Sequence, residues 1–162
     1  MTCIIGVAGR DGFICGDRRI TADGERCPNM VKVYANVGLV VGMCGSAGCF
    51  WQVARLIKEG RTDPKDLVEA IDEDSSGLAL AADGTLWGVS EGATWPVRQK
   101  VKAIGSGGDL ATGYLAALGA HGRKAVREAQ RYVATQRTDC GSGCDFRTFV
   151  KGGGKVRNGK GK

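Results

Sequence analysis

The sequence predicts an α+β fold: two antiparallel sheets packed face to face, with helices on their outer sides. Strand-length apolar runs come as hairpins in two groups, at 3–44 and 78–104, and each group is followed by a pair of helical stretches. Clustered hairpins argue against alternating βαβ units, and sheets that each carry a helical pair on one side solve the burial problem as a layered sandwich. The 162 residues suit one domain with a sizeable core.

The elements follow in order. Residues 3–8 and 13–16 are apolar, and the Gly-Arg-Asp-Gly linker at 9–12 joins them as a hairpin. Residues 17–30 are polar and end in Cys27-Pro28-Asn29, which predicts a loop. Strands are expected at 31–34 and 38–44, closed by Gly45-Ser46. From 47 to 58, Phe50, Trp51, Ala54, Leu56 and Ile57 fall at helical spacing, and Gly60 supplies the stop. Asp63 as N-cap and Pro64 at the first helical position open a shorter helix through Ile71. Asp83-Gly84 joins strands at 78–82 and 85–89, and a further strand is expected at 101–104. Helices follow at 109–119 and 123–136, broken around His121, and the last strand is 144–150.

Composition narrows the function classes. Hydrophobic residues make up 43% and charged residues 25%, as in an ordinary globular protein. No apolar run is long enough to span a bilayer, and Gly9, Arg10 and Asp11 interrupt the first one, so neither a membrane span nor a signal peptide is expected. The expected setting is cytoplasmic. Of the net charge of +6, the segment 151–162 carries +5, because Lys151, Lys155, Arg157, Lys160 and Lys162 meet no acid there. The domain, 1–150, is therefore nearly neutral. The Gly/Lys-rich tail is expected to be disordered and solvated, and nucleic acid is not an expected partner. The seven cysteines are scattered and lie mostly among strand-like residues, so they are expected to be small buried hydrophobes. Cys140 and Cys144 lack the spacing and partners of a zinc site, and neither a metal nor a cofactor is expected.

The chemistry is expected at the start of the chain. Thr2 precedes the first strand, and its small side chain would permit removal of Met1. The new terminus would carry a hydroxyl and an α-amine on one residue. With an unperturbed pKa of about 7.7–8, that amine can take the hydroxyl proton near neutral pH, and no histidine is needed. Five polar stretches sit at the ends of apolar strands, where a side chain can point into a site. These are Gly16-Asp17-Arg18-Arg19, Lys32 within Met30-Val31-Lys32-Val33, Gly45-Ser46, Gly105-Ser106-Gly107-Gly108, and Asp139-Cys140-Gly141-Ser142-Gly143.

Taken together and in this order, they resemble the proteasome β-subunit family in its HslV-type branch, from Thr2 to about Phe149. The carriers are the terminal threonine with TCIIGVAGRDGFICGDRR, the lysine in MVKVY, GMCGSAG, AIGSGG and DCGSG. The resemblance implies a four-layer αββα sandwich of the N-terminal nucleophile hydrolase type, acting as a threonine endopeptidase on peptides or unfolded proteins inside a homo-oligomeric ring. It further implies an ATP-driven AAA+ unfoldase as partner. By matching position, Thr2 would be the nucleophile, Lys32 a fixed positive charge beside it, and Asp17 the partner of Lys32. The Gly45 N–H would be the oxyanion donor, and Ser106, Asp139 and Ser142 would bond the terminal amine and its water. Two departures stand out: Cys3 follows the nucleophile, and the acid common after the GS helix start is missing at Gly48-Cys49. The alternatives are a catalytically silent scaffold of the same fold and an amidase that uses Thr2 on small molecules.

Overall fold

The opening hairpin forms where the sequence predicts it, from β1 (Ile4–Val7) and β2 (Phe13–Asp17), with Ile4 opposite Gly16 and Val7 opposite Phe13. Every residue of both strands is buried. Side chains of a strand alternate between faces, so an unbroken apolar run marks a sheet covered on both sides. The structure, a computed structural model, describes residues 2–19, 21–22, 25–26, 31–137, 140–141, 143–149 and 159–160. In the expected loop 17–30, the two-residue strands β3 (Thr21–Ala22) and β4 (Glu25–Arg26) pair with each other, a small ladder that polar composition does not announce.

β5 (Val33–Ala35) and β6 (Leu39–Cys44) pair next, and Ser46 caps α1 (Ala47–Lys58) by accepting from the Cys49 N–H. Asp63 caps the following helix as expected, with Pro64 inside its first turn, but Pro64–Ala70 winds as a 3₁₀ helix. β7 (Ser76–Ala81) and β8 (Leu86–Ser90) form the Asp83-Gly84 hairpin, and β9 (Ala93–Pro96), absent from the sequence expectation, pairs with β8. β9 is exposed or half-buried throughout, as suits an edge strand ending in proline, and so it lacks the apolar signature of the others. β10 (Val101–Ile104), α2 (Gly108–Leu118), α3 (Arg123–Gln136) and β11 (Cys144–Arg147) agree with expectation to within a few residues. β12 (Gly159–Lys160) pairs with Asp145 and Phe146 of β11.

Among the described residues the strands other than β3 and β4 form two five-stranded sheets, ordered β10-β1-β2-β11-β12 and β5-β6-β7-β8-β9, and every pairing is antiparallel. Among the described residues, three apolar cores define the layers. Ile4, Ile14, Val33, Val40, Leu78 and Leu86 meet between the sheets. Their chain neighbours Ile5 and Cys15 face the other way, against Ala111, Leu115, Val126 and Val133 of α2 and α3. Val41 likewise turns from Val40 to meet Phe50, Val53 and Ile57 of α1 and Leu67 of the 3₁₀ helix. The period-two alternation of each strand thus feeds two cores at once, which gives the expected αββα order of layers.

Candidate active site

Antiparallel pairing brings the beginning of β1 beside the ends of its two neighbours. Ile4 faces both Gly16 and Ile104, so Thr2 and Cys3 lie next to Asp17 on one side and Gly105-Ser106 on the other. In the second sheet Val33 faces Gly42, which sets Lys32 at the level where β6 ends in Cys44-Gly45. Lys32 stands one residue before β5 rather than within it, tethered by its carbonyl, which accepts from the Met43 N–H at 2.9 Å.

Asp17 is the hub. Its Oδ1 accepts from the Cys3 N–H at 2.8 Å and from Lys32 Nζ at 2.9 Å, and its Oδ2 accepts from the N–H groups of Gly141 at 3.0 Å and Arg19 at 3.2 Å. The Asp17 and Lys32 side chains are 0% and 2% exposed. Removing two charges from water costs several kcal/mol per ion, and only a full set of hydrogen bonds offsets it. Here the carboxylate has four donors, so the pair is a fixed device and not two solvated charges. One of its oxygens links the ammonium directly to the peptide that follows Thr2.

Thr2 itself is buried, at 6% exposure. Its nitrogen donates to Ser106 Oγ at 3.2 Å, and its carbonyl accepts from the Gly107 N–H at 3.2 Å and from Ser106 Oγ at 3.4 Å. Ser106 is held in turn by Arg137, whose Nε and Nη2 donate to the Ser106 carbonyl at 3.2 and 2.6 Å. Gly105, at φ +85°, must be glycine, because a Cβ there would stand 2.3 Å from the Thr2 carbonyl oxygen.

Gly45 is exposed, at φ +129°, and a Cβ on it would lie 2.0 Å from Ser75 Oγ. Among the described residues nothing accepts its N–H, whereas the Ser46 N–H is already spent on Ser75 Oγ at 2.9 Å. Ser46 Oγ donates to the exposed Asp72 carboxylate, and the Ser46 and Ser75 hydroxyls hold that carboxyl below its usual range. The segment before α1 therefore presents one free N–H at a backbone that a substrate can approach closely. The thiols of Cys3 and Cys44 are not rivals as nucleophiles, since burial pushes both up from their ordinary pKa and keeps them protonated.

Thr2, Asp17, Lys32 and Ser106 thus converge, and Gly45 joins them through Cys44, whose Cβ would be 3.5 Å from a Cβ on Gly105. Asp139 and Ser142 lie outside the described residues. Gly141 between them reaches Asp17, and Cys140 Sγ is 3.9 Å from Ser106 Oγ. Sequence reasoning missed Asp72, Ser75, Gln130 and Arg137. Gln130 alone carried a signal: a polar residue among Ala125, Val126, Ala129 and Val133 on the buried face of α3.

Two antiparallel sheets between helix layers, with the first strand's leading residue at their shared end, define the sandwich fold of N-terminal nucleophile hydrolases. The chain shares that fold, in the arrangement of proteasome subunits, with solved structures. It is similar to the BPH of Thiobacillus denitrificans, solved in complex with epoxomicin, with TM-score 0.71 and 16% identity over 90% of this chain and 96% of that one. It is also similar to the HslV of Trypanosoma brucei, with TM-score 0.63 and 22% identity over 90% of this chain and 97% of that one. No protein-family model and no curated protein matches the chain. At these identities the likeness shows the fold. No helix among the described residues is long and apolar enough to cross a membrane.

Proposed function

We propose that the chain is a threonine peptidase of the proteasome β type, with residues 1–150 as its catalytic domain and Thr2 as its nucleophile once Met1 is removed. The observation that carries this reading is the shared Asp17 Oδ1, which binds Lys32 Nζ and the Cys3 N–H at once and so ties a buried positive charge to the residue after Thr2. A peptide-bonded Thr2 nitrogen has no basic lone pair. Freed, it becomes an amine within reach of Ser106 Oγ and can take the proton of its own hydroxyl, directly or through a water. The Lys32 charge favours the deprotonated forms of amine and hydroxyl. Thr2 Oγ1 then attacks the scissile carbonyl, and the oxyanion accepts a hydrogen bond from Gly45. The amine returns the proton to the leaving nitrogen, and water hydrolyses the acyl ester on Thr2. Asp139 and Ser142 are assigned to the amine and its water by sequence resemblance.

The substrate class is peptide or unfolded protein, and the working form is a cytoplasmic homo-oligomeric ring fed by an AAA+ unfoldase. Trp51 and Val37, at 67% and 66% exposure, favour a surface covered by neighbouring copies. The decisive experiment follows the intact mass of purified protein to establish loss of Met1 and then treats it with a peptide epoxyketone, the inhibitor class of the epoxomicin bound to BPH. Adduct formation on Thr2 is expected in processed protein and in neither Met1-bearing protein nor Thr2→Ala. Peptide hydrolysis by folded Thr2→Ala would overturn the assignment. A processed protein that cleaves small amides but not casein would point to an amidase, and one that cleaves nothing to a scaffold. Sedimentation at micromolar concentration tests the ring.

A further inference from the structure

Gln130 is fully buried on the inner face of α3, the only polar side chain among that helix's buried residues. Its Nε2 donates to the Cys3 carbonyl at 2.9 Å and lies 3.9 Å from Cys15 Sγ. A carbonyl can only accept, so Cys3 fixes the amide with its nitrogen inward, and Oε1 is left buried with no partner among the described residues. An unsatisfied buried acceptor is costly, and a methionine or leucine would fill the same space without that cost. Burial therefore does not account for glutamine here.

What the amide secures is the peptide after Thr2. The Cys3 N–H is held by Asp17 Oδ1 at 2.8 Å, while its carbonyl takes the Asp17 N–H at 3.1 Å and Gln130 Nε2. Asp17 thus fixes the segment from within its own sheet, and Gln130 fixes it from the helix layer. We propose that Gln130 is a positioning residue for the nucleophile: it locks the Thr2–Cys3 segment to α3, so that the threonine hydroxyl and freed amine stay in register with Lys32 and Ser106. This inference rests on the peptidase reading. A side chain one peptide from the reacting atoms gains its effect through geometry, where a displacement near 1 Å costs on the order of 10²-fold in rate.

The test is Gln130→Met, which is close in length, flexible and without a donor. Hydrogen exchange of the peptide covering residues 2–7 is expected to accelerate about tenfold or more while α3 keeps its protection. With processed protein, kcat is expected to fall about tenfold or more with KM within about twofold, and the thermal midpoint to stay at or above wild type. A lowered midpoint with unchanged exchange and unchanged turnover per folded site would show a purely structural glutamine and overturn the proposal. Gln130→Glu gives a second reading, since its protonated carboxyl still donates to the Cys3 carbonyl and its carboxylate does not. Its turnover relative to wild type at the same pH should fall as pH rises, and a constant ratio would count against the proposal. Wild-type protein that neither hydrolyses peptides nor labels with an epoxyketone would end the peptidase reading, and the exchange comparison would still decide whether Gln130 holds this segment.

Discussion

Asp17 and Asp72 each support the candidate site, and they do so in opposite surroundings. Asp17 is buried with an ammonium and three N–H donors, whereas Asp72 is exposed and bonded to the hydroxyls of Ser46 and Ser75. The first anchors the strand that carries Thr2, and the second steadies the segment that carries Gly45. A site can thus combine one rigid and one adaptable support. Water screens Asp72 and can replace its hydroxyl partners, but no solvent reaches Asp17 to do the same.

The largest expected effect is that of Asp17→Ala, which takes the carboxylate from a buried Lys32 and strips the acceptor from the Cys3, Arg19 and Gly141 N–H groups. A loss of about 3–5 kcal/mol is expected, read from denaturant midpoints. A loss no greater than that of Asp72→Ala would erase the contrast between the two carboxylates. Lys32→Ala should cost less stability, because Asp17 keeps three backbone donors, yet it should lower kcat/KM on the order of 10²–10³. Lys32→Arg should not restore turnover, since a planar guanidinium does not fit where a compact ammonium sits.

Gly45→Ala comes next, since the new Cβ would stand 2.5 Å from Ser75 Cα at a φ of +129°. Strain of about 1–3 kcal/mol is expected, together with slowed epoxyketone labelling of Thr2. Unchanged labelling would remove Gly45 from the oxyanion role. The smallest effect belongs to Asp72→Asn. The Ser46 and Ser75 hydroxyls lower the Asp72 carboxyl from its ordinary 3.8 in the folded state, so its stabilisation is present above that value and is lost as pH falls through the lowered one. Melting curves of wild type and Asp72→Asn should therefore differ slightly at neutral pH and converge in acid as pH falls through the lowered value. A gap that widened in acid would contradict the sign.

Much of this protein was legible in its sequence because the relevant signals are local. Unbroken apolar runs such as Ile4-Ile5 and Val40-Val41 announce strands buried on both faces, and Asp83-Gly84 and Ser46 announce a turn and a cap within a few residues. The residues gathered at the candidate site were visible as well, Thr2 just before the first apolar strand and Asp17, Lys32, Gly45 and Ser106 in polar or glycine breaks beside others. β9 and the β3–β4 ladder escaped because short or exposed strands need no apolar pattern. The turn type of Pro64–Ala70 escaped too, since the cap chemistry of Asp63-Pro64 suits either helix.

The convergence of those residues was decided only by tertiary structure. Asp17 and Lys32 are 15 positions apart and Thr2 and Ser106 are 104 apart; antiparallel register sets Thr2 beside Ser106, and the packing of one sheet on the other brings Lys32 to Asp17. The supports are more distant from any local signal. Gln130 reaches Cys3 across 127 positions, and Ser75 reaches Ser46 across 29, through hydrogen bonds that no propensity encodes. The long buried strands, the main helices and the chemical groups at their ends were readable locally, because periodicity and capping act within a few residues. Which groups meet, and which carboxylate is dry, follows from how three apolar cores close around them.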